Sequence, residues 1–170
     1  MSTCRLPLAQ QPAAIIGGPA PALSNVEFGS NYIVWEASIG AEHNVRARDF
    51  ATGTTTIVAG TTDAERRAPT SGEWVVFEQS SSRSNAIMAK NMQTSELRTV
   101  TDGLATAFGP NVDGGLVVWD SNAAGEFDVC IHRLSTEQTF RVTTAAGEQL
   151  LNNIHGNLVS WVDFSSGSDV

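Results

Sequence analysis

Four acidic side chains recur at nearly constant spacing along this 170-residue chain. Glu36, Glu78 and Asp120 are 42 residues apart, and Asp163 comes one residue later than the same step. Carboxylates that converge can bind calcium or a cationic ligand, and a pair of them can cleave a glycosidic bond by acid and base catalysis. The alternative is that each carboxylate ends a strand and is hydrated. These four residues are our candidate ligand-binding residues, and the sequence assigns no catalytic residue, metal site or cofactor.

The spacing of the carboxylates belongs to a longer internal repeat, which would determine where they lie. An apolar run brings an aromatic residue to positions 35, 77, 119 and 161, again in steps of 42. Self-similarity at a fixed period of this length indicates solenoids, propellers or arrays. Further columns keep the same step: Val45, Ile87 and Val129; Phe50, Met92 and Leu134; Val58, Val100 and Val142; and the turn glycines Gly72, Gly114 and Gly156.

Each unit consists of short apolar runs separated by turn signals, without an extended helical periodicity. In the third unit the runs cover about residues 110–112, 116–120, 127–134 and 139–143. Four antiparallel strands in about 42 residues are typical of a β-propeller blade. We therefore predict an all-β propeller made of four-stranded antiparallel blades.

The unit boundaries leave one blade divided between the two ends of the chain. The first three units cover residues 24–65, 66–107 and 108–149. The last unit is composed of residues 150–170 plus 1–23. The segments Thr3–Leu6 and Ala13–Ile16 resemble a third and a fourth strand, and 167–170 resembles the beginning of a third strand. Three arrangements remain open: a four-bladed ring, a homodimer that closes an eight-bladed ring, and part of a longer propeller.

Side-chain alternation also predicts how the second and third strands pair. If residue 35 lies opposite 45, one face collects Ile33, Trp35, Val45 and Ala47, and the equivalent face is apolar in the later units. The same register places Arg48 across from Tyr32, as a cation–π pair, and Lys90 likewise across from Trp74.

Charge and composition exclude several classes of partner. With 18 acidic and 10 basic residues the net charge is −8, which disfavours nucleic acid. No apolar stretch is long enough for a membrane span, and Met1 to Gly18 does not resemble a secretory signal. Cys4 and Cys130 read as two partly buried thiols rather than as a disulfide framework. A protein or a carbohydrate remains possible as a partner.

Local motifs of catalysis are missing from the sequence. There is no Gly-x-Ser-x-Gly elbow for a nucleophilic serine, and Gly17-Gly18 lacks the Lys-Ser/Thr pair of a phosphate-binding loop. A non-enzymatic binding or scaffold propeller is therefore the preferred interpretation. The alternative is a propeller enzyme acting on polysaccharide or peptide through acidic residues at the axial mouth.

One family resembles this repeat in detail. A turn and a Val-Val-Trp strand come first, in Asp113–Asp120. A glycine loop and an Asp-Val strand follow in Gly125–Val129, and a closing Val-Thr lies in Arg141–Thr144. This pattern resembles the WD40-like (PD40) repeat of TolB-type β-propellers, over about residues 24–170. The resemblance implies a propeller fold and a module of an exported or cell-surface protein, and it leaves the ligand open.

Overall fold

The computed structural model describes residues 22–39, 42–61, 63–81, 85–101 and 105–165. Within those ranges the chain forms fifteen strands and no helix. The strands build four antiparallel sheets that follow one another along the chain. Each sheet corresponds to one unit of the 42-residue repeat, which confirms the prediction of all-β propeller blades. We number these sheets blades 1 to 4.

The strands of each blade are hydrogen-bonded in sequence order, from the innermost strand outward. Blade 1 comprises β1 (Ala22–Phe28), β2 (Tyr32–Ile39), β3 (Glu42–Asp49) and β4 (Thr55–Ile57). Blade 2 comprises β5 (Ala64–Arg66), β6 (Thr70–Ser71), β7 (Trp74–Ser80), β8 (Asn85–Asn91) and β9 (Leu97–Thr99), with β5 and β6 both paired to β7. Blade 3 comprises β10 (Ala107–Asp113), β11 (Leu116–Ser121), β12 (Asp128–Arg133) and β13 (Gln138–Arg141).

Blade 4 consists of two strands in the described part of the chain. These are β14 (Gln149–His155) and β15 (Leu158–Asp163). The sequence predicted two further strands at Thr3–Leu6 and Ala13–Ile16 and the beginning of a third strand at 167–170. All three segments lie outside the described residues. The division of one blade between the two ends therefore stays a prediction.

The turns between the first two strands of blades 2, 3 and 4 use the glycines that the repeat identified. Gly72, Gly114 and Gly156 have φ angles of 60°, 54° and 56°. Glycine adopts this left-handed conformation without the steric cost that a Cβ atom imposes. The structure confirms the glycine column.

The predicted register of the second and third strands is wrong by one residue. Trp35 lies opposite Arg46, and the same pairing sets Phe77 opposite Met88 and Trp119 opposite Cys130. Side-chain alternation predicted the wrong register because an inner blade such as blade 2 is covered on both faces by its neighbours. When both faces are apolar, the hydrophobic pattern cannot distinguish two registers that differ by one residue.

The cation–π pairs predicted from that register are also absent. Tyr32 lies opposite Asp49, and Lys90 lies opposite Val75. The cation above the Trp74 ring is instead Arg98, whose Cζ atom is 5.0 Å from the ring centroid.

Most of the core lies between the blades, in two clusters, while a third cluster lies on β2 of blade 1. One cluster packs Tyr32 and Val34 of blade 1 against Val75 and Phe77 of blade 2. The next cluster repeats the arrangement between blades 2 and 3, around Trp119. Fully burying one such side chain contributes about 1.5–3 kcal/mol, so each blade depends on its neighbours for stability.

Cys130 is a half-buried free thiol, as the sequence suggested, while Cys4 lies outside the described residues. Burial, reinforced by the charge of Asp128, raises the pKa of the Cys130 thiol to about 11. Because the thiolate is the reactive form, Cys130 is inert near neutral pH.

Candidate functional site

The innermost strands share an irregularity that positions the candidate carboxylates. One column of the repeat has left-handed backbone in all four blades. It consists of Asn25, Arg67, Gly109 and Leu151, with φ angles of 47°, 47°, 61° and 58°. Register shifts occur at these points in blades 1, 3 and 4, and in blade 2 the innermost strand is interrupted between β5 and β6. Left-handed backbone costs a non-glycine residue about 1–2 kcal/mol. The interruption also leaves a backbone N–H without a partner in its own sheet.

The carboxylate column accepts these N–H groups across the blade junctions. Glu36 Oε1 accepts a hydrogen bond of 2.6 Å from the backbone N of Arg67 in the next blade. Glu78 Oε1 accepts one of 2.7 Å from Gly109, and Asp120 Oδ2 accepts one of 3.1 Å from Leu151. Donor and acceptor are 31 residues apart in all three cases, so one contact recurs at every described junction. Hydrogen bonds to a charged acceptor contribute about 1.5–3 kcal/mol each.

Glu36 and Asp120 have further partners that hold them in place. Glu36 also accepts a hydrogen bond of 2.6 Å from the Asn25 side chain. Asp120 Oδ1 accepts one of 2.8 Å from Asn152 Nδ2. Burial raises the pKa of the Asp120 carboxyl group, and the hydrogen bonds from Asn152 and Leu151 oppose that shift.

Asp163 differs from the other three candidates. Its carboxylate is exposed and accepts a hydrogen bond of 2.8 Å from the backbone N of Ser165. Hydrogen bonds from the Ser165 side chain and from the Ser165 backbone N lower the pKa of Asp163. The difference follows from position: Asp163 pairs with Gln149 as Ser121 pairs with Ala107, so Asp163 is one residue beyond the position of Asp120 and its side chain points to the other face of the strand.

Hydrogen bonds connect the first three carboxylates in series. Arg67 joins two of them, because its backbone N donates to Glu36 and its Nη1 lies 3.3 Å from Glu78 Oε1. Gly109 joins the next pair: its N donates to Glu78, and its carbonyl oxygen accepts a hydrogen bond from Asn152, which also donates to Asp120. Within the described residues, no three acidic, histidine or cysteine side chains form a group that could hold a metal ion.

A groove of about 330 Å³ opens beside Glu78. We call it the Arg66–Arg67 groove. Phe108 forms one wall and makes an edge-to-face contact with Phe127 at 5.1 Å between ring centroids. The groove is lined by Arg66, Arg67, Glu78, Ser80, Asn85 and Phe108.

The charge of this groove is opposite to that of the whole protein. Arg66 and Arg67 are both exposed, whereas Glu78 is buried and already accepts hydrogen bonds from Gly109 and Arg67. Because Arg67 is paired with Glu78 at 3.3 Å, Arg66 leaves one uncompensated positive charge in the groove, which favours an anionic ligand group. The binding of a cationic ligand by the carboxylate column stays a prediction.

Sequence reasoning missed the arginines and Phe108. The available signal was the adjacent pair Arg66-Arg67 in an acidic chain, with Arg67 in the column of Gly109. An arginine at a left-handed position is unusual, and such strain is often found at functional sites.

No protein-family model matches this sequence, and no curated protein matches it. None of the described segments is a helix long and apolar enough to cross a membrane.

Solved structures do resemble this chain. TolB from Acinetobacter baumannii aligns with a TM-score of 0.64 at 15% identity, over 87% of this chain and 39% of that one. A structure from work on two prolyl endopeptidases aligns with a TM-score of 0.63 at 13% identity, over 82% of this chain and 24% of that one. A chain of the nidogen/laminin complex gives 0.59 at 13% identity, over 85% of this chain and 58% of that one.

The chain spans less than two thirds of each of these proteins. At such low identity the likeness is one of fold. Four successive antiparallel sheets and the shared junction contact agree with it. The chain therefore has a TolB-like, WD40-like β-propeller fold.

Proposed function

We propose that this chain is a non-enzymatic binding module and that its ligand presents an acidic group to the Arg66–Arg67 groove. The observation that carries the proposal is the pair of exposed guanidinium groups beside an aromatic wall, in a chain with a net charge of −8. Such an exception to the charge of the whole protein favours a specific contact over general electrostatic attraction.

The groove is preorganised for an anion. Glu78 is fixed by the backbone N of Gly109, and the Arg67 guanidinium is held at 3.3 Å from Glu78. A cation that is already oriented loses less side-chain entropy when it binds a carboxylate. Arginine is also suited to the planar, two-point recognition of a carboxylate.

The remaining lining fits a peptide better than a bare ion. Phe108 offers an apolar surface, while Ser80 and Asn85 can exchange hydrogen bonds with amides. A volume of about 330 Å³ accommodates one or two side chains. The expected ligand is therefore an acidic peptide segment of a protein partner.

The positions of the carboxylates support binding over catalysis. Glu78 and Asp120 are buried, and each accepts a backbone hydrogen bond across a blade junction. A catalytic acid or base must release and regain a proton beside the substrate, which would disturb those junction contacts.

The test measures fluorescence anisotropy of a labelled hexaglutamate peptide titrated with the protein. The Arg66→Gln and Arg67→Gln variants should each weaken binding about tenfold, since a hydrogen bond to a charged group contributes about 1.5–3 kcal/mol. Arg133→Gln serves as the matched control, because Arg133 is exposed on β12 and does not line the groove.

Two results would refute the proposal. One is the absence of saturable binding at low salt, and the other is an equal loss of affinity in the Arg133 control. A labelled hexaglutamine peptide should bind at least tenfold more weakly than hexaglutamate. Equal affinity for the two peptides would show that the acidic groups are not recognised.

A further inference from the structure

A pocket of about 340 Å³ lies between blades 2 and 3 and shares no lining residue with the Arg66–Arg67 groove. On the blade 2 side it is lined by Val100 and Thr101, which follow β9. On the blade 3 side it is lined by Trp119 and Cys130, which are opposite each other on β11 and β12. The pocket therefore belongs to an inner junction, with described strands on both sides.

The repeat accounts for the space in this pocket. At four lining positions a smaller side chain replaces the one found 42 residues earlier: Cys130 replaces Met88, Ser121 replaces Gln79, Thr139 replaces Leu97 and Ala105 replaces Asp63. Met88 is buried in the core between blades 1 and 2. Gln79 donates a hydrogen bond of 3.1 Å to Asp63 at the same junction. The smaller side chains leave the corresponding volume open between blades 2 and 3.

The wall of the pocket is uncharged. Among the described residues, no acidic or basic side chain lines it, and Val100, Ala105 and Ala123 contribute apolar surface. Burial raises the pKa of the Cys130 thiol to about 11, so this group is also neutral near pH 7. A charged ligand would lose its hydration here without gaining a partner of opposite charge, and a neutral ligand avoids that cost.

Three donor groups of the pocket residues lack an acceptor within the described part of the chain. Thr101 Oγ1 accepts a hydrogen bond of 3.0 Å from Ile87 N, and Ser121 Oγ accepts one of 3.3 Å from Ala123 N. Each hydroxyl group therefore keeps its own proton for another partner. Trp119 is 3% exposed, and its Nε1–H is unpaired. Buried donors are normally paired, so the pocket requires an acceptor from outside the chain.

Two hydrogen bonds connect the chain segments that frame the pocket. The backbone N of Asn122 donates to the Thr106 carbonyl oxygen at 3.2 Å, and the Thr106 N donates to Asn122 Oδ1 at 3.0 Å. These bonds join the segment before β10, which contains Ala105, to the loop after β11, which contains Ala123. A frame that is already ordered loses less conformational entropy when a ligand binds.

We propose that this pocket binds a small neutral molecule with an apolar body and a carbonyl oxygen. The apolar body packs against Trp119 and the alanine and valine side chains, and the oxygen supplies the acceptor that the pocket lacks. A volume of about 340 Å³ is near the lower end of ligand pockets, which span about 300–1,000 Å³. This site is separate from the Arg66–Arg67 groove and does not depend on the function proposed for it.

The experiment is a titration of the ¹⁵N-labelled chain with acetophenone, an aryl ketone, followed by NMR. The Trp119 indole cross-peak, assigned by its loss in Trp119→Phe, and the amides of Thr101 and Ala123 should shift saturably. The expected Kd is about 1 mM, as for other fragment-sized ligands. Benzoate has the same ring with a negative charge and should bind at least about tenfold more weakly.

Filling the pocket should abolish binding. Cys130→Met introduces the side chain that blade 2 has at the equivalent position, and it should remove the saturable shift. Cys130→Ser is the matched control, because it changes the side-chain volume little and should keep the Kd within about twofold. Trp119→Phe introduces the ring that blade 2 has in this column. It should weaken binding about fivefold, since it removes one neutral donor.

Four results would overturn the proposal. They are no saturable shift at about 20 mM acetophenone, full binding by Cys130→Met, equal affinity for benzoate, and an unchanged Kd in Trp119→Phe. The dispersion of each variant's spectrum shows whether it folds. If Cys130→Met does not fold, Thr139→Leu fills the pocket from β13 with the side chain of Leu97 and should abolish binding in the same way.

Discussion

Blades 3 and 4 share a repeat pattern but differ in environment. Trp119 and Trp161 occupy the same column, yet the first is 3% exposed and the second 41%. Blade 3 has four strands and a packed neighbour on its Trp119 face, while blade 4 has two strands in the described residues. The comparison shows that burial in this molecule is determined by the strands and blades around a residue more than by its local sequence.

The acidic residues at the ends of β11 and β15 also differ between these two blades. Asp120 is buried and bonded to Leu151 and Asn152 in the following blade, whereas Asp163 is exposed and bonded to Ser165. One residue type at positions one step apart on equivalent strands thus joins two blades in one case and caps a local turn in the other. Its contribution to stability should differ accordingly.

The largest effect should come from truncating the tryptophan column. Trp119→Ala should lower the free energy of unfolding by about 3–5 kcal/mol, because it opens a cavity between blades 2 and 3. Trp161→Ala should cost about 1 kcal/mol, because much of this ring already contacts water. Urea unfolding measures both values, and equal losses would contradict the difference in environment.

A smaller effect is expected for the acidic column. Asp120→Ala removes the acceptor of hydrogen bonds from the Leu151 N–H and from the buried Asn152 side chain, which should cost about 2–3 kcal/mol. Asp163→Ala should change the free energy of unfolding by less than about 0.5 kcal/mol, as for other exposed sites. Urea midpoints of the two variants provide the test. A large loss for Asp163 alone would mean that the junction contact does not stabilise the array.

The fold could be predicted from the sequence because it repeats. The 42-residue step of aromatic, valine and glycine columns identified the blades, and even the turns at Gly72 and Gly114 were correctly placed. The strand register could not be predicted, since covered faces on both sides erase the contrast between apolar and polar positions. The single-residue error at Trp35 follows directly from that symmetry.

The candidate site was predictable only in part. Column analysis singled out Glu36, Glu78 and Asp120 but not their partners. Those partners depend on an interruption of the innermost strand in the next blade, where the backbone N–H of Arg67 becomes available. Turn and strand propensities describe one blade at a time, so they contain no information about such a junction. The positions of Arg66 and Phe108 in the groove could not be predicted for the same reason.

Amide hydrogen exchange most directly tests the claim that equivalent sheets are stabilised mainly by their neighbours. In a dilute monomeric sample, the amides of β11 and β12 should exchange at least about a hundredfold more slowly than those of β15. Equal protection of β11 and β15 in the dilute monomer would contradict the claim.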